Sequence, residues 1–352
     1  MAHKLLAINF GGIGDEILFL PVLASIKEAY PETDITLLLE PRSKAIKDIT
    51  NLIDEIKLFD IKKRPLLPTD YLELLQILRT GKYETVISSG SSPLVACMLF
   101  ASGIKERVGY DSGALSHVLL THAVKLNKNQ YAGNMYHDLV QGMGLAQRQV
   151  MPKIQVSQDN LAHMQDFLLH LPQTTNKEKT KRIVIHPGTS LLAIQKGIIK
   201  TWPAQHWAAL INELLLRQDI QIILAGGPDD EKTVAAIKQE FDSNPSFVSR
   251  CLPNQNLFIS AYGATKSLAD LAALIMLSDL LICVDSAPMH IAVALNKPLL
   301  ALFGPTDPAH LLPVLPHYKY LRYEVDGAPM TKILPNTVYQ SALDLLQPVK
   351  AQ

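Results

Sequence analysis

The sequence predicts an α/β protein built from two doubly wound parallel-sheet domains. Three observations predict it. Short, continuously apolar runs alternate with longer helical patterns, as parallel strands buried on both faces require. The alternation stops once, at the polar and aperiodic stretch LPQTTNKEKTKR (171–182), and restarts immediately. A length of 352 residues exceeds one ordinary core and suits two.

In the first half, strands are expected over 5–9, 35–39, 55–59 and 85–88, and helices over 16–29, 70–79 and 93–101. Pro21 falls inside the first helix and lacks an N–H, so a kink or an irregular first turn is expected there. Helical periodicity returns over 134–144 and 158–170. Beyond the linker come a strand at 183–185, a helix at 204–217, a strand at 220–224, helices at 230–241 and 268–277, and strands at 280–284 and 298–303. This gives a first domain over 1–172, a second over 182–335 and a terminal segment over 336–352, helical at 337–346. No internal sequence repeat links the halves.

Composition narrows the function. A hydrophobic share of 48% and a charged share of 19% describe a soluble globular protein. The formal net charge is zero, so no overall basic field draws nucleic acid or an anionic membrane; Lys62, Lys63 and Arg64 and the basic residues of 177–182 read as solvated loops. The three cysteines, Cys97, Cys251 and Cys283, lack CxxC or Cys/His ligand spacing, which supports neither a disulfide framework nor a zinc site. The apolar run at 5–8 is too short for a secretory leader, and no run of about 18 apolar residues appears. The cytoplasm is the expected location.

Open parallel sheets bind ligands at the carboxyl ends of their strands. Three such ends carry chemistry. The first is NFGGIGDEI (9–17), where Gly11, Gly12 and Gly14 allow a tight strand-to-helix turn. A dinucleotide fingerprint wants glycine where Ile17 stands, and Asp15 would repel a phosphate. Asp15 then reads in two ways: a helix cap, worth about 0.5–2 kcal/mol, or a base for a hydroxyl nucleophile.

The second is IHPGTS (185–190), followed by LLAIQKGIIKTWP (191–203). Gly188 permits close approach, and Thr189 and Ser190 offer hydroxyls. Lys200 stands before a helix whose first turn holds Pro203, a place that suits a cation only if an anion is bound there; a solvated lysine is the other reading. The third is LICVDSAPMHIAVAL (281–295). Asp285 and Ser286 end a strand and cap a helix whose free amides suit a pyrophosphate. Met289 suits packing, and His290 either packing or ligand. FGPTDPAH (303–310) is a further strand-ending turn shaping the same pocket.

In combination, GIGD (12–15), HPGTS (186–190), KTWP (200–203), GGP (226–228), DSAPMH (285–290) and FGPTD (303–307) resemble the motifs of glycosyltransferase family 9, the ADP-heptose:lipopolysaccharide heptosyltransferases. The segment 83–110 is similar to the family's middle segment, and the likeness runs from about residue 4 to about residue 310. The resemblance implies the GT-B fold: two Rossmann-like domains facing across a cleft, the first for acceptor and the second for nucleotide-sugar, with the terminal helix crossing back to the first. It implies inverting transfer of a heptose-like sugar from an ADP-heptose-like donor to a lipopolysaccharide-core or other glycan acceptor, with no cofactor, no metal and no nucleic-acid partner. Peripheral contact with the cytoplasmic face of the inner membrane belongs to the same picture.

By the same resemblance Asp15 is the catalytic base. Thr189, Ser190, Lys200 and the turn of Ser286, Ala287, Met289 and His290 bind the donor diphosphate. Asp285 holds sugar hydroxyls beside Gly188, Asp230 or Glu231 lies near the ribose, and Gly12 and Gly14 shape the acceptor-side turn.

The chain departs from the family pattern twice. Asn9, Gly11 and Gly12 replace an RxSxx lead into GD, and 191–199 is longer than usual, a lid, lipid-facing flap or surface excursion. Competing readings are a GT-B nucleotide-sugar epimerase or hydrolase and a non-catalytic sugar-nucleotide-binding protein. An NAD-dependent enzyme is disfavoured by Ile17 and by Glu40 being the only acidic partner after the second strand.

Overall fold

The computed structural model describes residues 3–63, 65–174, 180–195, 198, 200–217, 219–251, 254–323 and 329–347. The chain forms two compact units, Met1–Gln155 and Val156–Gln352.

The first unit runs β1 (Lys4–Ile8), α1 (Ile13–Ala29), β2 (Asp34–Leu39), a 3-10 stretch (Pro41–Ile49), β3 (Glu55–Leu58), α2 (Pro68–Thr80), β4 (Thr85–Ser88), α3 (Pro93–Ser102), β5 (Glu106–Tyr110), α4 (Ala114–Leu119), β6 (His122–Val124) and α5 (Ala132–His137). A second 3-10 stretch, Asp138–Met143, follows directly, so the helix expected over 134–144 divides in two. The sheet has the parallel order β3-β2-β1-β4-β5-β6. Leu5, Leu6 and Ala7 at its centre are fully buried, the result of covering both faces with helices. Helix α1 begins earlier than expected and continues through Pro21, which sits well past the first turn.

The second unit opens with α6 (Gln158–Leu169), then β7 (Lys181–His186), α7 (Leu191–Gln195), α8 (Ala204–Leu215), β8 (Ile220–Leu224), α9 (Glu231–Asp242), α10 (Pro245–Cys251), β9 (Phe258–Ser260), α11 (Leu268–Met276), β10 (Leu280–Val284), α12 (Ala287–Ala294), β11 (Leu299–Phe303), α13 (Pro308–Leu311), β12 (Tyr318–Arg322) and α14 (Pro335–Leu346). Its sheet is also parallel, in the order β12-β11-β10-β7-β8-β9. Trp202 and Trp207 meet edge to face at 4.7 Å in its core, and the Trp202 indole donates to the Ile333 carbonyl at 2.9 Å.

Two expected boundaries move. Helix α6 belongs to the second unit, not to a first domain ending at 172, because buried Met164 and Leu168 and the polar pair Asn160 and His163 tie it to α11. The terminal helix α14 packs in the second unit, where Val338 and Ala342 join the core around Trp207. Of the expected linker, 175–179 lies outside the described residues. No helix among the described residues is long and apolar enough to cross a membrane.

Candidate active site

In each sheet the strand order reverses beside the unit's first strand, at β1/β4 and at β7/β10, where a doubly wound sheet opens its crevice. The predicted residues fall at those points.

At the first, Gly12 caps α1, and Gly14 and Asp15 lie in its first turn. The half-buried Asp15 carboxylate accepts the Gly12 N–H through Oδ2 at 2.9 Å and the Tyr136 hydroxyl through Oδ1 at 3.2 Å. The cap reading is therefore correct as local structure, and one lone pair or more on each oxygen is left for a ligand. Burial first, and the Asp15 charge second, push the Tyr136 hydroxyl far up, so it stays protonated and can donate to the carboxylate. Phe19 holds its ring edge to face at 5.8 Å. The turn needs glycine at 11 more than at 12: a Cβ on Gly11 would stand 2.1 Å from the Asp15 Cβ, whereas one on Gly12 meets nothing nearer than 3.9 Å. Beneath them Glu16 is buried, and neither of its oxygens has a hydrogen-bond partner of normal geometry. Burial, then the charge of Asp15, pushes its carboxyl well above the usual range.

At the second, β7 and β10 are paired with Cys283 opposite His186, so the two strand-end turns lie side by side. Asp285 is buried, and its Oδ2 takes Lys200 Nζ at 2.6 Å and the Thr306 hydroxyl at 2.5 Å. The anion beside Lys200 is thus supplied by the chain itself. Ser286 turns its hydroxyl back to the Val284 carbonyl at 3.2 Å, leaving the helix uncapped by its side chain. Ala287 and Pro288 form the first turn of α12. Met289 is fully buried, and its amide already donates to the Ser286 carbonyl at 3.0 Å; His290 is buried as well. Met289 therefore packs, and the amides open to a phosphate are those of Ser286 and Ala287.

Thr189 is buried and Ser190 exposed at the β7 turn. Asp230 does not open outward: its Oδ2 accepts the Gly227 N–H at 2.8 Å and lies 3.6 Å from His186 Nε2, and a Cβ on Gly188 would stand 1.6 Å from its Oδ1. Burial pushes the His186 imidazole down and the Asp230 carboxyl up, each partly opposed by the other's charge. Glu231, by contrast, is exposed. In the long 191–199 segment, α7 exposes Leu191 and Ile194, while Lys196, Gly197 and Ile199 lie outside the described residues.

Tyr136 and Glu16 were not among the expected site residues, while Gly11 was expected only as a turn glycine and Thr306 only as part of a pocket-shaping turn. Thr306 had a signal, the FGPTD turn after an apolar strand; Tyr136 had none, since it meets Asp15 from 121 positions away.

The family-wide sequence model described as Glycosyltransferase family 9 (heptosyltransferase) matches residues 71–337. A lipopolysaccharide heptosyltransferase 3 of Escherichia coli is 26% identical over 307 residues, covering 84% of this chain and 81% of that one. The structure of E. coli ADP-heptose lps heptosyltransferase II superposes with a TM-score of 0.73 at 22% identity, over 97% of this chain and 98% of that one. An E. coli heptosyltransferase solved with ADP-2-deoxy-2-fluoro heptose gives 0.69 at 19%, over 97% and 99%. At such identities the structural likeness shows the fold, GT-B, with two α/β units.

Proposed function

Because the chain belongs to glycosyltransferase family 9, we propose that it transfers a heptose-type sugar from ADP-heptose to a lipopolysaccharide-core acceptor, with inversion and without a required metal. The transfer is one displacement. The acceptor oxygen bonds to the anomeric carbon as the bond to the diphosphate breaks; the hydroxyl proton passes to Asp15, and ADP leaves with the bonding electrons.

The observation that carries this reading is the Lys200–Asp285–Thr306 cluster at the mouth of α12. Buried ion pairs are poor stabilisers, since desolvation offsets their attraction, so the pair calls for another reason. A diphosphate seated on the Ser286 and Ala287 amides engages Lys200 Nζ. Both contacts to Asp285 fall on Oδ2, which leaves Oδ1 for a sugar hydroxyl. Thr189 and Ser190 border the diphosphate, Gly188 keeps the turn open, Glu231 serves the ribose, and His290 backs the turn from within. Asp15, pinned by Gly12 and Tyr136, is the base, with Gly14 in its turn.

A thermal-shift panel of ADP, UDP and GDP, followed by transfer assays with ADP-heptose, tests it. A ligand that binds only the folded state raises the melting temperature. A shift selective for ADP, with product formed, is expected. A shift selective for UDP or GDP, with no product from ADP-heptose, overturns the donor.

A further inference from the structure

Helix α5 grips α1 through two consecutive residues. The Tyr136 hydroxyl donates to Asp15 Oδ1 at 3.2 Å, and His137 Nε2 pairs with the Ser25 hydroxyl at 2.9 Å. Asp15 and Ser25 are ten positions apart, about 15 Å along a helix, so the two contacts hold α1 at separate points. Between them lies Pro21, which has no N–H for the Ile17 carbonyl and takes one rung out of the helix. The turn that carries Asp15 is therefore joined to the rest of α1 through a weakened stretch.

The second contact is built from buried groups. His137 and Ser25 are both buried, and the imidazole Nδ1 has no hydrogen-bond partner among the described residues. Burial first, then the Arg148 charge, pushes the imidazole down, so the ring is neutral at about pH 7 and Nε2 can accept. Arg148 Nη2 donates to Ser25 Oγ at 3.1 Å and to Glu28 Oε2 at 2.5 Å. A guanidinium only donates, which leaves the serine hydrogen for His137. Two other bonds hold α5: the Tyr110 hydroxyl donates to the Met135 carbonyl at 2.7 Å, and the Val150 N–H to Asn134 Oδ1 at 2.9 Å. Neither of those two runs to α1.

We propose that His137 and Ser25 are positioning residues, which brace α1 across Pro21 and keep the Tyr136 hydroxyl on Asp15; the inference rests on Asp15 being the base of the transfer. A single contact would let the end of α5 pivot on α1. The second removes that pivot, and because Tyr136 and His137 are adjacent, what Ser25 fixes is passed on to the Tyr136 hydroxyl. Phe19, edge to face with the Tyr136 ring at 5.8 Å, supports the ring but offers no polar group to hold the hydroxyl. Without the brace, Asp15 keeps the Gly12 N–H and loses its second donor, so the carboxylate is free to turn from the acceptor.

The test compares Ser25→Ala, His137→Gln, Tyr136→Phe and the double variant Ser25→Ala, Tyr136→Phe in the full chain. Ser25→Ala should lower kcat about three- to tenfold and leave the KM for ADP-heptose unchanged, because the proposed donor residues lie in the second unit. His137→Gln, whose amide oxygen can accept from Ser25, should keep most of the wild-type rate. With Tyr136→Phe no hydroxyl is left to place, so adding Ser25→Ala should cost less than about twofold more. The contact itself is read without turnover, by the NMR signal of the hydroxyl-bearing ring carbon of Tyr136 in isotope-labelled protein, identified by its absence in Tyr136→Phe. Ser25→Ala should move that signal towards its position in Asp15→Ala, where the carboxylate is gone. A signal that stays at the wild-type position, or kcat losses that simply multiply in the double variant, overturns the proposal. A signal that moves as expected, in a protein that makes no heptosyl product, upholds the brace and sinks the transfer reading.

Discussion

Asp15 has no freedom to turn away from its site, because each carboxylate oxygen is held by a different donor. Asp15→Asn keeps the size and the Gly12 contact but cannot take a proton. Single-turnover rates should fall by about 10² or more while ADP binding is unchanged; transfer near the wild-type rate would refute the base. Tyr136→Phe keeps the stacking on Phe19 and loses one hydrogen bond to a carboxylate, so turnover should fall about tenfold with little change in melting temperature. Glu16 makes the residue-scale prediction for pH. Its folded carboxyl titrates above the ordinary 4.5. Its contribution is therefore full below that value and lost as pH rises towards the folded pKa. Glu16→Gln should become progressively more stable than wild type on going from about pH 4 to about pH 8. A melting-temperature difference that stays flat over that range would show that burial leaves Glu16 unperturbed.

At the scale of elements, the clasp between the β7 turn and the start of α9 decides the shape of the donor site. Asp230 occupies the space that a side chain at 188 would need. Gly188→Ala should cost about 1–3 kcal/mol by overpacking and weaken ADP binding. Asp230→Ala in the same chain should restore part of both, a non-additivity that a double-mutant cycle reads directly; additive losses would mean the two positions act separately. This part of the site was half legible. Asp15, Lys200 and Asp285 could be found because each sits beside an apolar strand or a helix start marked by glycine or proline. The pairing of Lys200 with Asp285 could not, since it joins side chains 85 positions apart. Strands were legible where apolar on both faces, as β1, β2, β4, β8, β10 and β11 are. They were missed where charge or brevity hid them, as in β5 (ERVGY), β6 (HAV), β9 (FIS) and β12 (YKYLR).

For the whole molecule, the sequence located two α/β units but divided them at the wrong place, because polarity marked 171–182 more strongly than the packing of α6 did. That helix shows only two buried residues, Met164 and Leu168, a pattern too sparse to assign it to either side. Its docking is nevertheless specific. Against the upward push of burial, hydrogen bonds from Asn160, His163 and the Lys266 amide hold the Asp270 carboxyl below its ordinary 3.8. The stabilisation from that contact is complete above this value and is lost as pH falls through the lower, folded pKa. The fragment 156–352 should therefore fold alone and unfold in one cooperative transition. The fragment 182–352 lacks α6, and with it two apolar side chains worth about 1.5–3 kcal/mol each. It should melt well below the longer fragment at neutral pH, with part of the gap closing in acid once Asp270 is protonated. Equal melting temperatures for the two fragments at neutral pH would return the boundary to the polar stretch at 171–182.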